Sequence, residues 1–549
     1  MTSSIAFVGA GPTTLYTLAA LLSQAGHGFS VTIFEDQPTA GLGTPYRPGW
    51  NDPAMLSNIA SLEIPPLTET LLAWMERQPA SELSALNIRE LDERAFVPRV
   101  ALGRYFRDQF DALVSQGRAR GIDIEIRART RVIDVANVAD GMRLTIAVRT
   151  GRVRHEVFDH VVLATGHQWP TQQQVRPGYF LSPWPATALA EVDAVHVGIR
   201  GSSLTAIDAV VALAGNHGSF VRDGEALTYA ARPGTEAFRM TMMSRKGLLP
   251  EADFYFPLPH APLSICTPEA IDALLARDDA DLLESAFELF RREMLLADPE
   301  YCKVTGLGSA TLEAFSDRYF ADRAAADPFE WAAANLVEAR NNHATRVTVA
   351  WRYAILRMHE VLAVIVPYLD ASQFERFNRH FKPIFVDDYG AVPHESIERM
   401  LALHRAGKLE ILALGDAYSI DTHRPEGGVM LQIGKKQQHF PAFIEAMGQQ
   451  PLSAIQFPFL SLLEQGIVRD EVQSDTRGAS RGIVINDTFH PIADGLPADR
   501  LFCLSLPFIM GRHPFVQGIT SSHEMGEIVG RALAEAVGAK ARPEQSEAA

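Results

Sequence analysis

The stretch from Ile5 to Leu22, read together with Glu35, limits what this 549-residue chain can fold into more than any other. Ile5-Ala6-Phe7-Val8 is an apolar run of strand length, Gly9-Ala10-Gly11-Pro12-Thr13-Thr14 breaks it, and Leu15, Leu18, Ala19 and Leu22 then recur at helical spacing. A strand that turns sharply into a helix leaves unpaired N–H groups at the helix N-terminus, where the dipole favours negative charge. A pyrophosphate fits there. Gly9 makes the tight turn and Gly11 removes the side chain that would block a phosphate, with Pro12 and Thr13 completing the turn. Val31-Thr32-Ile33-Phe34 reads as the next strand and ends in Glu35, a carboxylate placed to hold a ribose hydroxyl pair. Thr14 departs from the fingerprint, which has glycine or alanine there so that the helix can press on the sheet.

The same frame returns. Val195 to Asp208 is again strand, glycine turn and helix, with Gly201 at the tight turn and Ser202, Ser203 and Thr205 around it. Each frame also has a stop: Phe158, Val162, Ala164 and Gly166 match Phe440, Ile444, Ala446 and Gly448 at identical spacing, and Thr165 with Gly166 lets backbone approach a ligand. Between turn and stop, the first half carries a helix from Leu102 to Val114, closed by Gly117 and Gly121. A β-meander follows, read from Ile122 to Ile126, Arg131 to Val135 and Arg143 to Val148, with Val132 counted among the cofactor contacts. Gly9 and Gly166 are 157 positions apart and Gly201 and Gly448 are 247 apart, so the second half holds an insertion, placed from about Pro262 to Trp351. Ser396 to His404 and Lys408 to Leu414 supply the matching helix and strand. The chain returns through Leu501 to Pro507 and the turn Gln517-Gly518-Ile519 to a final helix, with a capping box read from Ser521 to Glu524.

Composition narrows the partners. Lys plus Arg is 50 and Asp plus Glu 66, a net charge of −16 that argues against nucleic acid or an anionic membrane. No apolar run reaches bilayer length and the N-terminus has no leader pattern, so a cytoplasmic protein is expected. Cys266, Cys302 and Cys503 form no CxxC pair, which disfavours a dithiol reductase. No HExxH or Ser/His/Asp spacing stands out, so metal and hydrolase readings are poor and no metal ligand is named.

Two dinucleotide turns, the second nested between the parts of the first, are the arrangement of two-dinucleotide flavoproteins. The expected fold is α/β with two Rossmann-like dinucleotide-binding domains: 1–190 with 446–549 for FAD, and 191–445 for NAD(P)H with the helical insertion at 262–351. The sequence resembles the YdhS-like FAD/NAD(P)-binding bacterial flavoproteins over nearly its whole length. The likeness is carried by Gly9 to Thr14, Asn58 to Pro66, Phe96 to Phe110, Ala164 to Pro170, Ser244 to Glu251, Trp351 to Glu360 and Pro514 to Gly518. More distantly, Asp159, Leu163, Ala164, Thr165, Gly166 and Pro170 are similar to a pattern of flavin-dependent N-hydroxylating monooxygenases, with His167 where those usually have tyrosine.

The resemblance implies an FAD enzyme reduced by NADPH, with NADH possible, oxygenating the amine of a small amino-acid-like substrate. The alternatives are electron transfer to a quinone, carrier protein or dioxygen, and a flavin-binding sensor. Gln517, Gly518 and Ile519 are expected at the flavin end of FAD, where helix N–H groups stabilise negative charge on reduction. Ser244, Arg245 and Lys246 follow a second strand and stand where an NADPH 2′-phosphate lies, against the alternative of a solvated basic turn. His167, Asn58 and Arg99 are the catalytic candidates: His167 as a lone titratable group between the halves, Asn58 facing the flavin ring, and Arg99 holding a pyrophosphate or a substrate carboxylate. The plain alternatives are a backbone cap, a loop hydrogen bond and a salt bridge. Arg352 is a weaker ligand candidate on a stripe that reads as core. Oligomeric state stays open.

Overall fold

A computed structural model describes residues 2–147, 151–170, 172–224, 226–277, 281–471 and 480–541. The chain opens with β1 (Ser3–Val8), the helix Pro12–Gln24 and β2 (Phe29–Phe34). After the helix Arg99–Ala119 come β3 (Asp123–Arg127), β4 (Arg131–Val138), β5 (Gly141–Ala147), β6 (Val153–Phe158) and β7 (His160–Leu163). Short β8 (Gln174–Arg176) and β9 (Tyr179–Phe180) lead to β10 (His196–Arg200), the helix Leu204–His217, the hairpin β11 (Gly218–Asp223) and β12 (Ala226–Ala231), and β13 (Arg239–Ser244). Helices fill Pro268 to Tyr389. The helix His394–Arg405 precedes β14 (Leu409–Ala413), β15 (Tyr418–Asp421), β16 (Val429–Ile433), β17 (Lys436–Phe440) and β18 (Ala442–Glu445). The chain ends with β19 (Ile492–Ala493), β20 (Leu496–Pro497), β21 (Leu501–Cys503) and the helix Ile519–Ala541.

Two sheets, parallel except for the β8–β9 pair, repeat one order. The first runs β21-β7-β1-β2-β3, the second β14-β13-β10-β18-β9-β8, so β1 lies between β2 and β7 as β10 lies between β13 and β18. Each has a three-stranded antiparallel companion, β4-β5-β6 and β15-β16-β17. The central strands read as unbroken apolar runs because both faces are covered: Ile5 and Phe7 on one face, opposite Val31 and Ile33, and Ala6 and Val8 on the other are all buried. Residues from Ala454 to Val468 and from Ile483 to Val537 contribute to the first core, and the helical region builds a core of its own around Phe287, Phe290, Phe315 and Phe381.

Several expectations change. The stretch Ile122 to Ile126 belongs to the parallel sheet as β3, beside β2, and not to the meander. Its alternation comes from being an edge strand, with Ile124 buried and Asp123 and Glu125 exposed. Gly117 does not end the helix before it but lies inside, because a Cβ there would press on Ile124 and Leu22. Val148 lies outside the described residues. The helical insertion reaches Tyr389, well past Trp351, since the helix Ala350–Ala363 and those after it complete the same core. The second sheet recruits residues 174–180, inside the span assigned to the first domain, because β9 pairs with β18. The last helix starts at Ile519, so Ser521 is in its first turn and its hydroxyl donates to the Phe515 carbonyl instead of capping.

Candidate dinucleotide site

The first turn is built as its glycines require. Gly9 has φ +103°, and a Cβ on it would collide with the Ala164 carbonyl oxygen, so the strand end and the small-residue stop touch only because Gly9 has no side chain. Gly11 precedes the helix in an extended conformation with no side-chain cap, and Pro12 has no N–H, which leaves the first N–H groups of the helix facing outward. The Thr14 departure has a local reason. Its hydroxyl donates to the Gly9 carbonyl at 2.7 Å, which lets a buried threonine sit against the sheet and braces the turn.

Glu35 is buried, accepting from the N–H groups of Ala10 at 3.1 Å and Gln37 at 3.0 Å, with Arg47 at 3.9 Å. Burial pushes its carboxyl up to about 7. A carboxylate has about four acceptor positions, so two remain for a ribose diol. Val132 is buried in the first core at a bulge of β4. Thr165 bonds Ser505 at 2.8 Å, tying the stop to the end of β21. Gly166 takes φ +68° with open space where a Cβ would stand.

The last helix returns to this turn. Thr13 meets Ser522 at 3.2 Å, while Cβ atoms on Gly526 and Gly530 would clash with Tyr16 and Ala20. Contacts that advance together along both helices mean that they run parallel, so their N-termini lie side by side. Gln517 and Gly518 are exposed ahead of the last helix, while Ile519 is buried.

The second turn repeats the first. Gly201 has φ +141° and its Cβ would strike the Ala446 carbonyl oxygen, the counterpart of Gly9 against Ala164. Ser203 precedes the helix without a side-chain cap, and Thr205 lies 3.6 Å from where Gly448 would carry a Cβ. The Ser202 hydroxyl donates to Ser244 at 2.9 Å, and Ser244 accepts from the Gly247 N–H at 3.1 Å. The two expected cations separate. Arg245 is exposed at the strand end, but Lys246 turns away, its ammonium 3.1 Å from the centre of the Phe320 ring, because the helical region offers an aromatic face. Burial brings the Lys246 ammonium down to about 8.

The two stops meet. Gln168, just after the first, donates its N–H to Gln449, just after the second, at 2.9 Å. His167 is at this seam, with Trp169 6.0 Å away ring to ring and Trp184 beyond it. Burial, with Arg99 nearby, brings the imidazole down to about 4, so at neutral pH it is uncharged, and its Nδ1 is buried without a hydrogen-bond partner. It is not a base poised near 7.

Arg99 does not wait for a ligand. Its guanidinium pairs with Asp208 at 2.7 Å, donates to the Leu56 carbonyl at 3.1 Å and lies over Trp184, so the plain salt-bridge alternative holds. Asn58 is exposed and its side chain makes no hydrogen bond among the described residues. Arg352 is committed to buried Glu251, so it belongs to the core of the helical region.

Trp169, Trp184, Asp208 and Gln449 were not foreseen. Asp208 carried a signal: it is the lone carboxylate on the apolar helix Leu204–His217. The three cysteines are free and buried, and burial raises their thiols, Cys266 to about 12 and Cys302 and Cys503 to about 11. Among the described residues no group of three His, Cys, Asp or Glu could hold a metal, and no helix is long and apolar enough to cross a membrane.

Residues 6–168 match the FAD-NAD(P)-binding family model and residues 267–389 the YdhS-like middle domain. YdhS of Escherichia coli K12 is 39% identical over 535 residues, 96% of this chain and 97% of that protein. The chain belongs to the YdhS-like family. Residues 6–168 are an FAD/NAD(P)-binding domain, and the middle domain coincides with the helices Pro268 to Tyr389. Among solved structures, the ornithine N-hydroxylase KtzI of Kutzneria sp. 744 superposes with TM-score 0.51 at 12% identity, covering 99% of this chain and 100% of that one. The cadaverine monooxygenase DfoA of Erwinia amylovora gives TM-score 0.51 at 13% identity, covering 100% and 97%. These likenesses place the fold among two-dinucleotide flavoproteins.

Proposed function

We propose that the chain is an FAD-dependent oxidoreductase reduced by NADPH, and that it oxygenates the amine of a small substrate. The observation that carries the reading is the pair of uncapped glycine turns whose stops meet at Gln168 and Gln449, one turn for each nucleotide. FAD would be held by Gly9, Gly11, Thr13, Thr14, Glu35 and the start of the last helix, and would supply electron transfer and dioxygen activation when bound. NADPH would lie on Gly201, Ser202, Ser203 and Thr205, with Arg245 at its 2′-phosphate. The chain's own residues bind, orient and exclude water; neutral His167 offers a hydrogen bond at the seam without adding charge.

Absence of a paired thiol supports oxygenation over disulfide reduction. KtzI was solved with reduced FAD, NADP+ and L-ornithine, and DfoA is named for cadaverine, so amines with and without a carboxylate both fall within the class. The pairing of Arg99 with Asp208 supports a substrate without a carboxylate over one that needs Arg99 as its anchor. An amine without a carboxylate needs no such anchor; the second reading is transfer of electrons to a quinone, a carrier protein or dioxygen. Anaerobic NADPH should bleach the yellow protein, and air with candidate amines should then yield hydroxylated product. Hydrogen peroxide alone would favour the second reading, and a flavin that NADPH leaves oxidised would defeat both.

A further inference from the structure

A cleft of about 640 Å³ opens where the two halves meet, and no residue of either glycine turn lines it. Its first wall is the loop 39–53 with the helix Ala80–Ala85 and the start of the helix Arg99–Ala119; its second is the short helix Ala186–Glu191 with Asn216. Leu42, Pro53, Leu86, Val100 and Ala186 give it a mainly apolar lining, the character of a small-molecule site. The polar groups in it are unevenly matched. Arg104 and Arg107 each face a carboxylate of their own helix, Asp108 at 3.5 Å and Asp111 at 2.9 Å, and Arg107 also donates to the Ala40 carbonyl. Asp52 and Glu82 also line the cleft, both half-buried, and neither forms a salt bridge among the described residues. One oxygen of Asp52 accepts the Ala54 N–H at 2.8 Å, and the Glu82 carboxylate takes part in no hydrogen bond among the described residues. Asn51, in the floor, is 3% exposed. Its amide N–H donors go to the carbonyls of Thr44 at 3.3 Å and Arg47 at 3.2 Å, which fixes which way the amide points and leaves Oδ1 buried without a partner.

The unmet groups are all acceptors, two of them charged, and they stand among apolar side chains. An anion would be repelled by the two carboxylates, and a plain hydrocarbon would cover them without compensation. An ammonium answers them, since it carries positive charge and N–H donors and no acceptor. We infer that this cleft binds a small primary amine with a hydrocarbon body, its ammonium toward Asp52 and Glu82 and its hydrocarbon against Leu42, Leu86 and Val100. The inference stands whether or not that amine is the molecule oxygenated, because binding here needs neither NADPH nor turnover.

The test titrates the full-length, FAD-loaded protein, oxidised and without NADPH, with cyclohexylamine at neutral pH and constant ionic strength, against cyclohexanol, cyclohexanecarboxylate and ammonium chloride as controls. Calorimetry should show one saturable site for cyclohexylamine and binding of each control weaker by about 10-fold or more. Asp52→Asn, which keeps an acceptor for the Ala54 N–H, and Glu82→Gln should each weaken binding roughly 10-fold, the loss of one charge-assisted hydrogen bond, and together abolish it. Ala190→Trp, at an exposed position of the second wall, should block the cleft. Flavin content and far-UV circular dichroism should stay unchanged in all of these variants. Cyclohexanol binding as tightly as the amine, variants that bind like the wild type, or no saturable binding of cyclohexylamine would each overturn the site.

Discussion

Arg99 and Asp208 approach to 2.7 Å across the seam between the two halves, and they are not equivalent partners. Burial, opposed by Arg99, lifts the Asp208 carboxyl to about 6 from an ordinary 3.8. It can therefore take a proton when its partner is removed, whereas a guanidinium cannot lose one. Asp208→Ala should cost about 3–5 kcal/mol by stranding a buried cation, and Arg99→Ala distinctly less. Urea unfolding of the two variants at pH 7 measures the difference; equal losses would contradict the asymmetry.

The duplicated glycines separate the nucleotides. Gly201→Ala should give yellow protein that dithionite bleaches and NADPH does not, since its Cβ strikes the Ala446 carbonyl and shifts only the second turn. Gly9→Ala carries the same clash with Ala164 and should not retain flavin. Gly11→Val, which leaves the strand end untouched, should be colourless with native circular dichroism. Full flavin content in Gly11→Val would overturn the assignment of FAD to the first turn.

Thr14 should be worth one hydrogen bond. Replacing it with alanine, the residue of the usual fingerprint, loses the bond to the Gly9 carbonyl and should lower stability by about 1 kcal/mol with flavin retained. Denaturant midpoints of the holoprotein read this directly, and a gain in stability would show that the hydroxyl is not bracing the turn.

Of the two cations after β13, Arg245 should decide coenzyme preference. Arg245→Gln is expected to raise KM for NADPH roughly 10- to 100-fold with that for NADH unchanged, the loss of a charge-assisted contact to phosphate. Lys246→Gln should change either less than about 3-fold, because that ammonium is spent on Phe320. Steady-state bleaching with both coenzymes compares them.

Glu35 sets a pH dependence of definite sign. Its folded carboxyl titrates near 7 against 4.5 unfolded, so in the flavin-free protein this group's stabilisation is full below pH 4.5 and lost as pH rises through 7. Ribose hydroxyls donate to the ionised form, so FAD should bind about 10-fold more tightly at pH 8 than at pH 6. Glu35→Gln should flatten the profile, and fluorescence titration of FAD measures it.

Much of this architecture was legible because its elements are local. Apolar strands flanking Gly9 and Gly201, and the matched Ala-x-Gly stops, repeat in order along the chain, and both sheets follow that order. What misled was also physical. The alternation of Ile122 to Ile126 is shared by edge strands and meander strands, and only its neighbour β2 distinguishes them. Arg245 and Lys246 are adjacent in sequence, yet Phe320, more than seventy residues on, takes one of them.

The opening turn, with its glycines, its threonine and Glu35, was determined by the sequence alone, because a strand, a tight turn and a helix need only neighbouring residues. The tertiary structure decided what the charged and aromatic groups do. Arg99 became a strut because Asp208 is folded against it, His167 became a neutral imidazole because Trp169 and the seam bury it, and the last helix completed the first turn because Gly526 and Gly530 let it lie against Tyr16 and Ala20. Side-chain charge and pairing depend on burial and on partners distant in sequence, which appear only when the chain has closed on itself.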